Sequence, residues 1–475
     1  MKKISLILTL VMVSLFMVAC GDLGEETDGN GEIYVDQEWD MFDEGHQVIS
    51  PVEIDFWSAN SAVDVHGTVL ADLVSQFNAY QQDTYPDSPI RVNVSFQGGY
   101  INQNSKLQAA LISNTNPELA MVGVSSMALY HENVIDQRRI FSYDEIRDIY
   151  EGFLQFAMYK HVFVGYPYFA ASNVILLNRT LAEATGMTVP TVDEILADPE
   201  NSIWTWDYMK ELGSKMRATV GEEEFWGLAA SGPALYEMMF TQGVNVYNET
   251  ATQQMFNNEY GRKGFEYWQS LVQEDIMKNP VLDPNHGTRI QGEFTSGHVG
   301  MLFSSSSVTK TIFEIVNSTP NQNNETPLFE MDVLPHPKVT NFYSNQSGGG
   351  IILFNNKSNA RTQAAVEFLR WLQAPEQNAY YSTHTGYLAS TKSAIETDIW
   401  QDYKAINPLL DRVISLMIFT TPEGTKLPIG RAKALADDDF AKYAKGIYYE
   451  DAQADIDAVL KETAERVQYI LDANS

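Results

Sequence analysis

The most regular pattern of apolar and polar residues begins at Val52. Residues 52–57 alternate apolar and polar side chains with a period of two, which predicts a β-strand with one buried face. From residue 68 to 80, apolar side chains recur at helical spacing along one stripe. A strand at 90–96, a helix at about 102–112 and a strand at 119–124 follow. This alternation of strands and helices predicts a parallel sheet with crossover helices.

Polar, aromatic and glycine residues stand directly after these strands. Ligands of open α/β sheets bind beyond the carboxyl ends of the strands. The residues in those places are Trp57, the stretch from Gly98 to Tyr100, and Ser125 with Ser126. We therefore expect these residues to border a ligand site.

The α/β style continues to the end of the chain without a repeat of 20 to 50 residues, which argues against a solenoid. Further strands are predicted at 174–178, 299–303, 329–334 and 351–354. Further helices are predicted at 207–216, 367–372 and 452–471. Because domains average roughly 100 to 200 residues, two α/β lobes fit the 475 residues.

The first twenty residues have the pattern of an export signal. Lys2 and Lys3 precede an apolar run from residue 4 to 19, which is shorter than the roughly 20 residues that span a bilayer. The run ends at Cys20, the single cysteine of the chain. This arrangement resembles the lipobox of bacterial lipoproteins, with Met17 where leucine is usual, and implies cleavage after residue 19 and a lipid on Cys20. An ordinary signal peptide with an incidental cysteine, and an uncleaved anchor, are the alternatives.

The next segment is strongly acidic. Residues 22–44 contain ten aspartates and glutamates, several glycines, and neither lysine nor arginine. Such a sequence repels itself and buries little apolar surface. We expect residues 20–47 to form a flexible tether, with local docking of Trp39 or Phe42 on the folded part as an open possibility.

Charge and cysteine content exclude several kinds of protein. The chain has 62 acidic and 31 basic side chains, a formal net charge of -31. That charge repels a phosphate backbone, so we expect no nucleic-acid partner. One cysteine excludes an intrachain disulfide framework, a four-cysteine zinc site and an iron–sulfur cluster. We predict no metal and no cofactor.

The candidate catalytic motifs in the sequence are incomplete. Ser125 lacks the second glycine of a nucleophile elbow, and His131-Glu132 lacks the second histidine of a zinc-binding helix. The glycines at 348–350 precede a strand, whereas a phosphate loop follows one. A pair of glycosidase carboxylates stays open, since sequence spacing does not report their distance in space. Aromatic rings with serine, asparagine and glycine suit the binding of a small hydrophilic solute instead.

Five segments occur together in one order and strengthen that interpretation. They are residues 56–60, 98–104, 205–207, 294–301 and 385–392. The most specific among them read F-T-S-G-x-x-x-M and T-G-Y-L-x-x-T-K. Together they resemble the extracellular solute-binding proteins of carbohydrate ABC importers, nearest to the glycerol-3-phosphate-binding members. The resemblance runs from about Val52 to the C-terminus.

The resemblance implies a type II periplasmic-binding-protein-like α/β fold with two lobes, hinge crossovers and a ligand cleft between them. The implied organisation is a signal peptide at 1–19, the tether at 20–47, an N-terminal lobe from 48–165 and 333–385, and a C-terminal lobe from 166–332 and 386–475.

The resemblance also assigns ligand contacts. The implied positions are Tyr100, Ser172, Ser304, Ser305, Gly349, Tyr387 and Arg431, which join Trp57 and Ser125 from the strand ends. Arg431 is the expected partner of an anionic ligand because a guanidinium forks onto phosphate oxygens.

Two departures from the glycerol-phosphate-binding members weaken that particular ligand. A glutamate that takes glycerol hydroxyls is replaced here by residues 123–125, and a tryptophan-containing loop by residues 227–234. A neutral sugar is therefore as well supported as a phosphorylated one.

The sequence thus predicts a non-enzymatic, monomeric lipoprotein outside the cytoplasmic membrane. It would deliver a sugar, an oligosaccharide or a glycerol-phosphate-type solute to ABC permease subunits. A secreted glycoside hydrolase and a surface sugar receptor without a transport role are the alternatives.

Overall fold

A computed structural model describes residues 41–221, 223–230, 235–248, 252–277, 286–343, 346–419, 436, 440 and 453–474. The predicted signal peptide, Cys20 and Arg431 lie outside this described part of the chain.

The N-terminal half of the described chain alternates strands and helices as the sequence predicts. Its elements are β1 (Val52–Ser58), α1 (Val65–Thr84), β2 (Ile90–Phe96), α2 (Gly99–Ser113), β3 (Leu119–Gly123), α3 (Tyr143–Asp148), α4 (Glu151–Ala157), β4 (Met158–Tyr159), β5 (Val162–Phe163) and β6 (Tyr166–Asn178). Strand β1 pairs in parallel with both β2 and β3, so the predicted crossover sheet is confirmed.

The second half contributes most of the helices. Its elements are α5 (Arg179–Ala184), α6 (Val192–Ala197), α7 (Trp206–Val220), β7 (Trp226–Ala230), α8 (Leu235–Phe240), α9 (Glu259–Gln273), α10 (His286–Thr295), β8 (Val299–Ser305), α11 (Thr309–Ser318), β9 (Met331–Leu334), β10 (Gln346–Leu353), α12 (Asn359–Gln373), α13 (Pro375–Thr385), α14 (Asp398–Ile406), α15 (Leu409–Ser415) and α16 (Ile456–Asn474).

Strand β6 links two half-sheets. The strand order is β2-β1-β3-β10-β6-β8-β7, and β9 also pairs with β6. Residues 166–172 of β6 pair with β10, whereas residues 173–178 pair with β8 and β9. The two half-sheets therefore meet between Ser172 and Asn173.

The strand predicted at 174–178 is only the second half of β6, which has 13 residues. Its first half contains Tyr166, Pro167, Tyr168 and Ser172, and this sequence does not alternate apolar with polar residues. Almost every β6 residue is buried, so neither face is polar and the period of two disappears. Because both faces of β6 are buried, the sequence pattern predicted only its second half.

Two large apolar cores pack the molecule, and the first extends from the N-terminal half into α10, α11 and α15 of the second half. On the N-terminal side, Ile54 and Phe56 of β1 pack with Phe77 of α1 and Phe368 of α12. On the C-terminal side, a separate core gathers residues of α7, β7, α9 and α16. Burial of these apolar faces, at about 25 cal/mol per Å², is the main force that holds each half together.

The described end of the expected tether docks on the folded part. Phe42 donates its backbone N–H to the carbonyl of Arg139 at 2.8 Å, and the Arg139 guanidinium lies 4.8 Å from the Phe42 ring centre. His46 stacks on Tyr85 at 3.7 Å and contacts Glu367 and Ser88 at 3.0 Å each. The docking of Phe42 that the sequence allowed is therefore present, and residues 41–47 of the expected tether belong to the folded part.

No helix within the described ranges is long and apolar enough to cross a membrane.

Candidate functional site

Strand ends from both half-sheets converge on the middle of β6. At the end of β3, Gly123 stands opposite Gly349 of β10, and Gly349 stands opposite Phe169 of β6. At the end of β8, Ser305 stands opposite Asn173 of β6. The carboxyl ends of β3 and β8 thus approach the same central stretch of one strand. This place, which we call the junction, is where the fold itself predicts a ligand site.

Tyr100 lies against glycine backbone at the junction. A Cβ atom on Gly349 would stand 3.0 Å from the Tyr100 hydroxyl and 2.5 Å from the carbonyl of Val122. A Cβ atom on Gly123 would stand 3.4 Å from the Tyr100 ring. Helix α2 carries Tyr100 to this place after Gly98 and Gly99, both of which have left-handed φ angles.

Tyr387 and Tyr381 continue the aromatic wall. Their ring centres are 5.9 Å apart at an interplanar angle of 22°, and Phe169 lies 5.9 Å from Tyr387. Gly386, with φ +92°, ends α13 and turns the chain into Tyr387, and a Cβ there would stand 2.7 Å from the carbonyl of Ser307. Glycine at 386 is therefore required to bring the tyrosine next to the end of β8.

Burial keeps these phenols protonated. Burial raises the pKa of Tyr100 well above its ordinary value, and the neighbouring Tyr387 adds to the rise. Burial also raises the pKa of Tyr387, while the adjacent Tyr100 and Asn60 side chains oppose the rise. The buried Tyr100 hydroxyl lies beside the Tyr387 side chain without a hydrogen bond of ordinary geometry to the described residues, which leaves it capacity to bond a ligand atom.

His66 joins elements from the two ends of the chain. Its ring centre is 4.9 Å from that of Tyr387. The backbones of Ser307 and Thr385 are close enough to raise its pKa slightly. Burial lowers the pKa of His66, and Asp64 opposes this less strongly. A neutral imidazole therefore faces the aromatic wall, and its Nε2 is buried without a hydrogen-bond partner in the described structure.

Hydroxyl and amide groups line the other side of the junction. The Ser305 Oγ atom is 3.1 Å from Ser307 Oγ and 3.5 Å from Ser347 Oγ. Ser172 donates its backbone N–H to Ser306 Oγ at 3.1 Å. Asn60 donates to the Tyr381 hydroxyl at 3.4 Å. These groups both donate and accept hydrogen bonds, which suits the recognition of hydroxyl-rich molecules.

The residues singled out from the sequence are distributed unevenly around the junction. Tyr100, Gly349, Tyr387 and Ser305 come together there, with Ser172 held through Ser306. Ser304 is half-buried and stands opposite Val174, one residue from Ser305.

The remaining predicted positions are Trp57, which packs beside the junction, and Ser125 and Arg431, whose side chains are not described. Trp57 is half-buried and packs with a separate apolar cluster that includes Leu107 and Val122. The Ser125 backbone follows β3 in a 3₁₀ turn (Val124–Tyr130), and its side chain is outside the described part, as is Arg431.

Sequence reasoning missed several residues that reach this place. They are Asn60, His66, Asn173, Glu237, Ser347 and Tyr381. Asn60 belongs to one of the five family-like segments and Asn173 directly follows Ser172, but nothing distinguished their side chains. His66 and Tyr381 lie on ordinary helical stretches more than 300 residues apart, so only the tertiary fold could bring them together.

Among the described residues, neither a metal cluster nor a separate surface cavity adds chemistry to this site. Within the described ranges no group of three or more histidine, cysteine, aspartate or glutamate side chains could hold a metal ion. A cavity of about 200 Å³ lies apart from the junction, between residues 43–46 and helices α1 and α12. Its polar lining, including His46 and Glu367, is already paired. The junction therefore remains the candidate site.

Two α/β halves joined by one strand, with aromatic, hydroxyl and amide groups between their strand ends, define a two-lobed binding protein. Residues 72–408 match the model of the bacterial extracellular solute-binding proteins. The match covers most of the chain, which therefore belongs to that family. The predicted family is confirmed.

Solved structures bear out the predicted fold. The cyclic α-maltosyl-1,6-maltose binding protein of Arthrobacter globiformis superposes with a TM-score of 0.68 at 20% identity, covering 90% of this chain and all of that one. UgpB from Mycobacterium tuberculosis, in complex with glycerophosphocholine, superposes with a TM-score of 0.70 at 17% identity, covering 89% of this chain and 99% of that one. The two-lobe α/β architecture is therefore confirmed.

A curated relative matches over a shorter stretch. The lactose-binding protein of Rhizobium radiobacter is 24% identical over 199 residues, which are 42% of this chain and 44% of that protein. The matched stretch thus spans less than half the length of that relative.

Proposed function

We propose that this protein is the lipid-anchored substrate-binding component of an ABC importer. It captures a sugar, an oligosaccharide or a glycerol-phosphate-type solute between its lobes and delivers it to the permease. The observation that carries the proposal is the convergence of Tyr100, Tyr387, Ser305 and Gly349 where β6 passes from one half-sheet to the other. Membership of the solute-binding family and the sugar-related relatives support the same class.

The mechanism is a shift between open and closed forms. The proposed N-terminal lobe, residues 48–165 and 333–385, supplies Tyr100 and Gly349, and the proposed C-terminal lobe, residues 166–332 and 386–475, supplies Ser305. Tyr387, just past this boundary, packs against Tyr381 of the N-terminal lobe. A ligand that touches both sets only in the closed form stabilises closure by its differential affinity. Strand β6, which belongs to both half-sheets, is the hinge element.

The chemistry of the junction favours a polyhydroxylated solute. Aromatic rings stack on the C–H faces of sugars, and serine, asparagine and tyrosine groups hydrogen-bond their hydroxyls. A phosphate-bearing solute would need a cation, and Arg431 is the proposed partner. No catalytic step is part of this function, and Cys20 carries the lipid that keeps the protein outside the cytoplasmic membrane.

A thermal-shift screen of the full chain in mild detergent tests the proposal. The panel contains lactose, maltose, maltotriose, glycerol-3-phosphate and glycerophosphocholine. A ligand present at about 100 times its Kd stabilises the folded state by about 2.7 kcal/mol, which raises Tm by several degrees. Chromatography of the incubated ligand should show it unchanged. Release of hydrolysis products would identify a glycosidase, and no shift with any member would contradict the proposal.

A further inference from the structure

A buried carboxylate stands beside the junction on its C-terminal side. Glu237 is 6% exposed and lies on α8, the helix that follows β7. Strands β7 and β8 are parallel, with Ala230 opposite Phe303, so α8 begins near the same sheet edge at which β8 ends in Ser304 and Ser305. The topology therefore delivers Glu237 to the edge at which the ligand is proposed to bind.

A direct contact connects Glu237 to the junction. The Asn173 side chain donates to Glu237 Oε1 at 3.2 Å. Asn173 stands opposite Ser305 in the pairing of β6 and β8, and Ser305 Oγ is 3.5 Å from Ser347 Oγ. One residue, Asn173, thus stands between the Glu237 carboxylate and the pair of serines at the centre of the junction.

The surroundings of Glu237 hold unused hydrogen-bonding capacity. His336 and Tyr343 are each 1% exposed, and both are close enough to feel the charge of Glu237. Neither ring nitrogen of His336, nor the Tyr343 hydroxyl, has a hydrogen-bond partner in the part of the chain that the structure describes. Buried polar atoms normally have partners, and a polar ligand or water would supply them.

Among the described residues, the charge beside the junction is negative. Burial lowers the pKa of His336, which keeps the imidazole neutral beside the carboxylate. Lys310, near Gly386 at the other side of the junction, already pairs with Glu314 at 2.5 Å. A phosphate group in this place would meet a carboxylate in a setting of low dielectric, which is unfavourable. A ligand hydroxyl would instead donate a charge-assisted hydrogen bond.

We propose that Glu237 is a ligand-binding residue that sets the charge preference of the site, accepting hydrogen bonds from solute hydroxyls and disfavouring anionic solutes. This inference rests on the proposed function and narrows it to uncharged polyhydroxylated solutes. Asn173 holds the carboxylate in place, and His336 and Tyr343 provide a neutral polar lining.

Isothermal titration of the full chain in mild detergent tests the role of Glu237. The probes are lactose, maltose and maltotriose as neutral solutes, and glycerol-3-phosphate as the anion. The wild-type chain should bind one of the neutral sugars more tightly than glycerol-3-phosphate. Glu237→Gln should lower the affinity for that sugar by about tenfold or more, because hydrogen bonds to charged groups are stronger than those to neutral groups. The same variant should reduce the difference in affinity between the sugar and glycerol-3-phosphate. Glu274→Gln, which removes an exposed carboxylate paired with Lys210, is the matched control and should leave both affinities unchanged.

The outcomes separate the two proposals. If the wild-type chain binds none of the probes, the proposed function fails and the inference falls with it. If the wild-type chain binds a sugar and Glu237→Gln binds it equally well, or if glycerol-3-phosphate is the tightest ligand, the inference alone is overturned. A second measurement needs no variant: the bound sugar should slow amide hydrogen exchange across residues 235–243 of the wild-type chain. Unchanged exchange there would also overturn the inference.

Discussion

At the scale of single residues, Gly349 makes the sharpest prediction, because its missing side chain leaves room for Tyr100. Gly349→Ala places a Cβ atom 2.5 Å from the Val122 carbonyl and 3.0 Å from the Tyr100 hydroxyl. Backbone cannot yield as a flexible side chain can, so we expect a loss of about 1–3 kcal/mol in the free energy of unfolding. Ligand affinity should fall as well, because Tyr100 must move. Urea unfolding and titration measure the two effects.

The matched control for that variant is Gly292→Ala. Gly292 lies within α10, and a Cβ atom there meets nothing within 4 Å. Alanine in a helix interior is favoured over glycine by roughly 0.5–1 kcal/mol, so this variant should be slightly more stable. Equal destabilisation by both substitutions would contradict the explanation based on close approach.

His336 makes the stability of the protein depend on pH. Burial lowers its pKa in the folded protein below the ordinary value of 6.5, and Glu237 opposes this less strongly. The unfolded chain therefore takes up a proton that the folded protein refuses. The contribution of neutral His336 to the free energy of unfolding is fully present above about pH 6.5. It is lost as the pH falls toward the pKa of His336 in the folded protein.

Replacing the imidazole should remove this contribution. His336→Phe keeps a ring against Phe303 and Trp206 and has no group to protonate. The loss of unfolding free energy between about pH 7 and pH 5 should be smaller in the variant than in the wild type. Parallel pH profiles would show that His336 is not responsible.

At the scale of elements, one buried carboxylate connects three of them. Asp332 of β9 is 6% exposed and contacts Arg179 at the start of α5 and Arg412 of α15, the latter at 2.7 Å. Asp332→Ala leaves the buried Arg179 without its charge partner, so we expect a cost of about 3–5 kcal/mol in denaturant unfolding. Glu266→Ala, which breaks the exposed pair with Arg262 within α9, should cost about 0.5 kcal/mol or less. Similar costs would contradict the distinction between buried and exposed pairs.

The sequence predicted elements well where one face is buried and the other is wet. The alternation at residues 52–57 became β1, and the apolar stripe at 68–80 became the centre of α1. The first half of β6 was missed because it is buried on both faces, and α13 was not predicted because it buries polar residues such as Asn378 and Ser382. A periodic sequence pattern arises only where an element has one apolar buried face and one polar exposed face. The first half of β6 and α13 lack this difference between their faces.

The candidate site followed the same division. Tyr100 and Tyr387 were predicted from segments with a recognisable sequence pattern, and Gly349 from the family resemblance. His66 and Glu237 were not, because their roles depend on loop paths and on helix placement across the whole chain. Position in space, which no local pattern records, selected them.

At the scale of the whole molecule, closure is the measurable event. In the proposed function, the ligand contacts residues on both sides of β6 only when the lobes are closed. Small-angle scattering of the full chain in detergent, with the detergent contrast-matched, should give a smaller radius of gyration with a saturating ligand than without it. The control is Gly349→Ala, which is expected to bind the ligand more weakly. At the same ligand concentration its radius of gyration should decrease less. An unchanged radius in the wild type under saturation would argue against a hinge at β6.

The docking of residues 41–48 determines how far the protein can stand from a membrane. Because His46 and Phe42 hold this stretch against α1, α12 and Arg139, those residues add nothing to the reach of the tether. With the lipid on Cys20, as proposed, the contour length from Cys20 to Met41, at about 3.3–3.6 Å per residue, limits the separation to about 70 Å. Residues 42 and 46 pack against the N-terminal half, so this limit applies to the distance between that half and the bilayer.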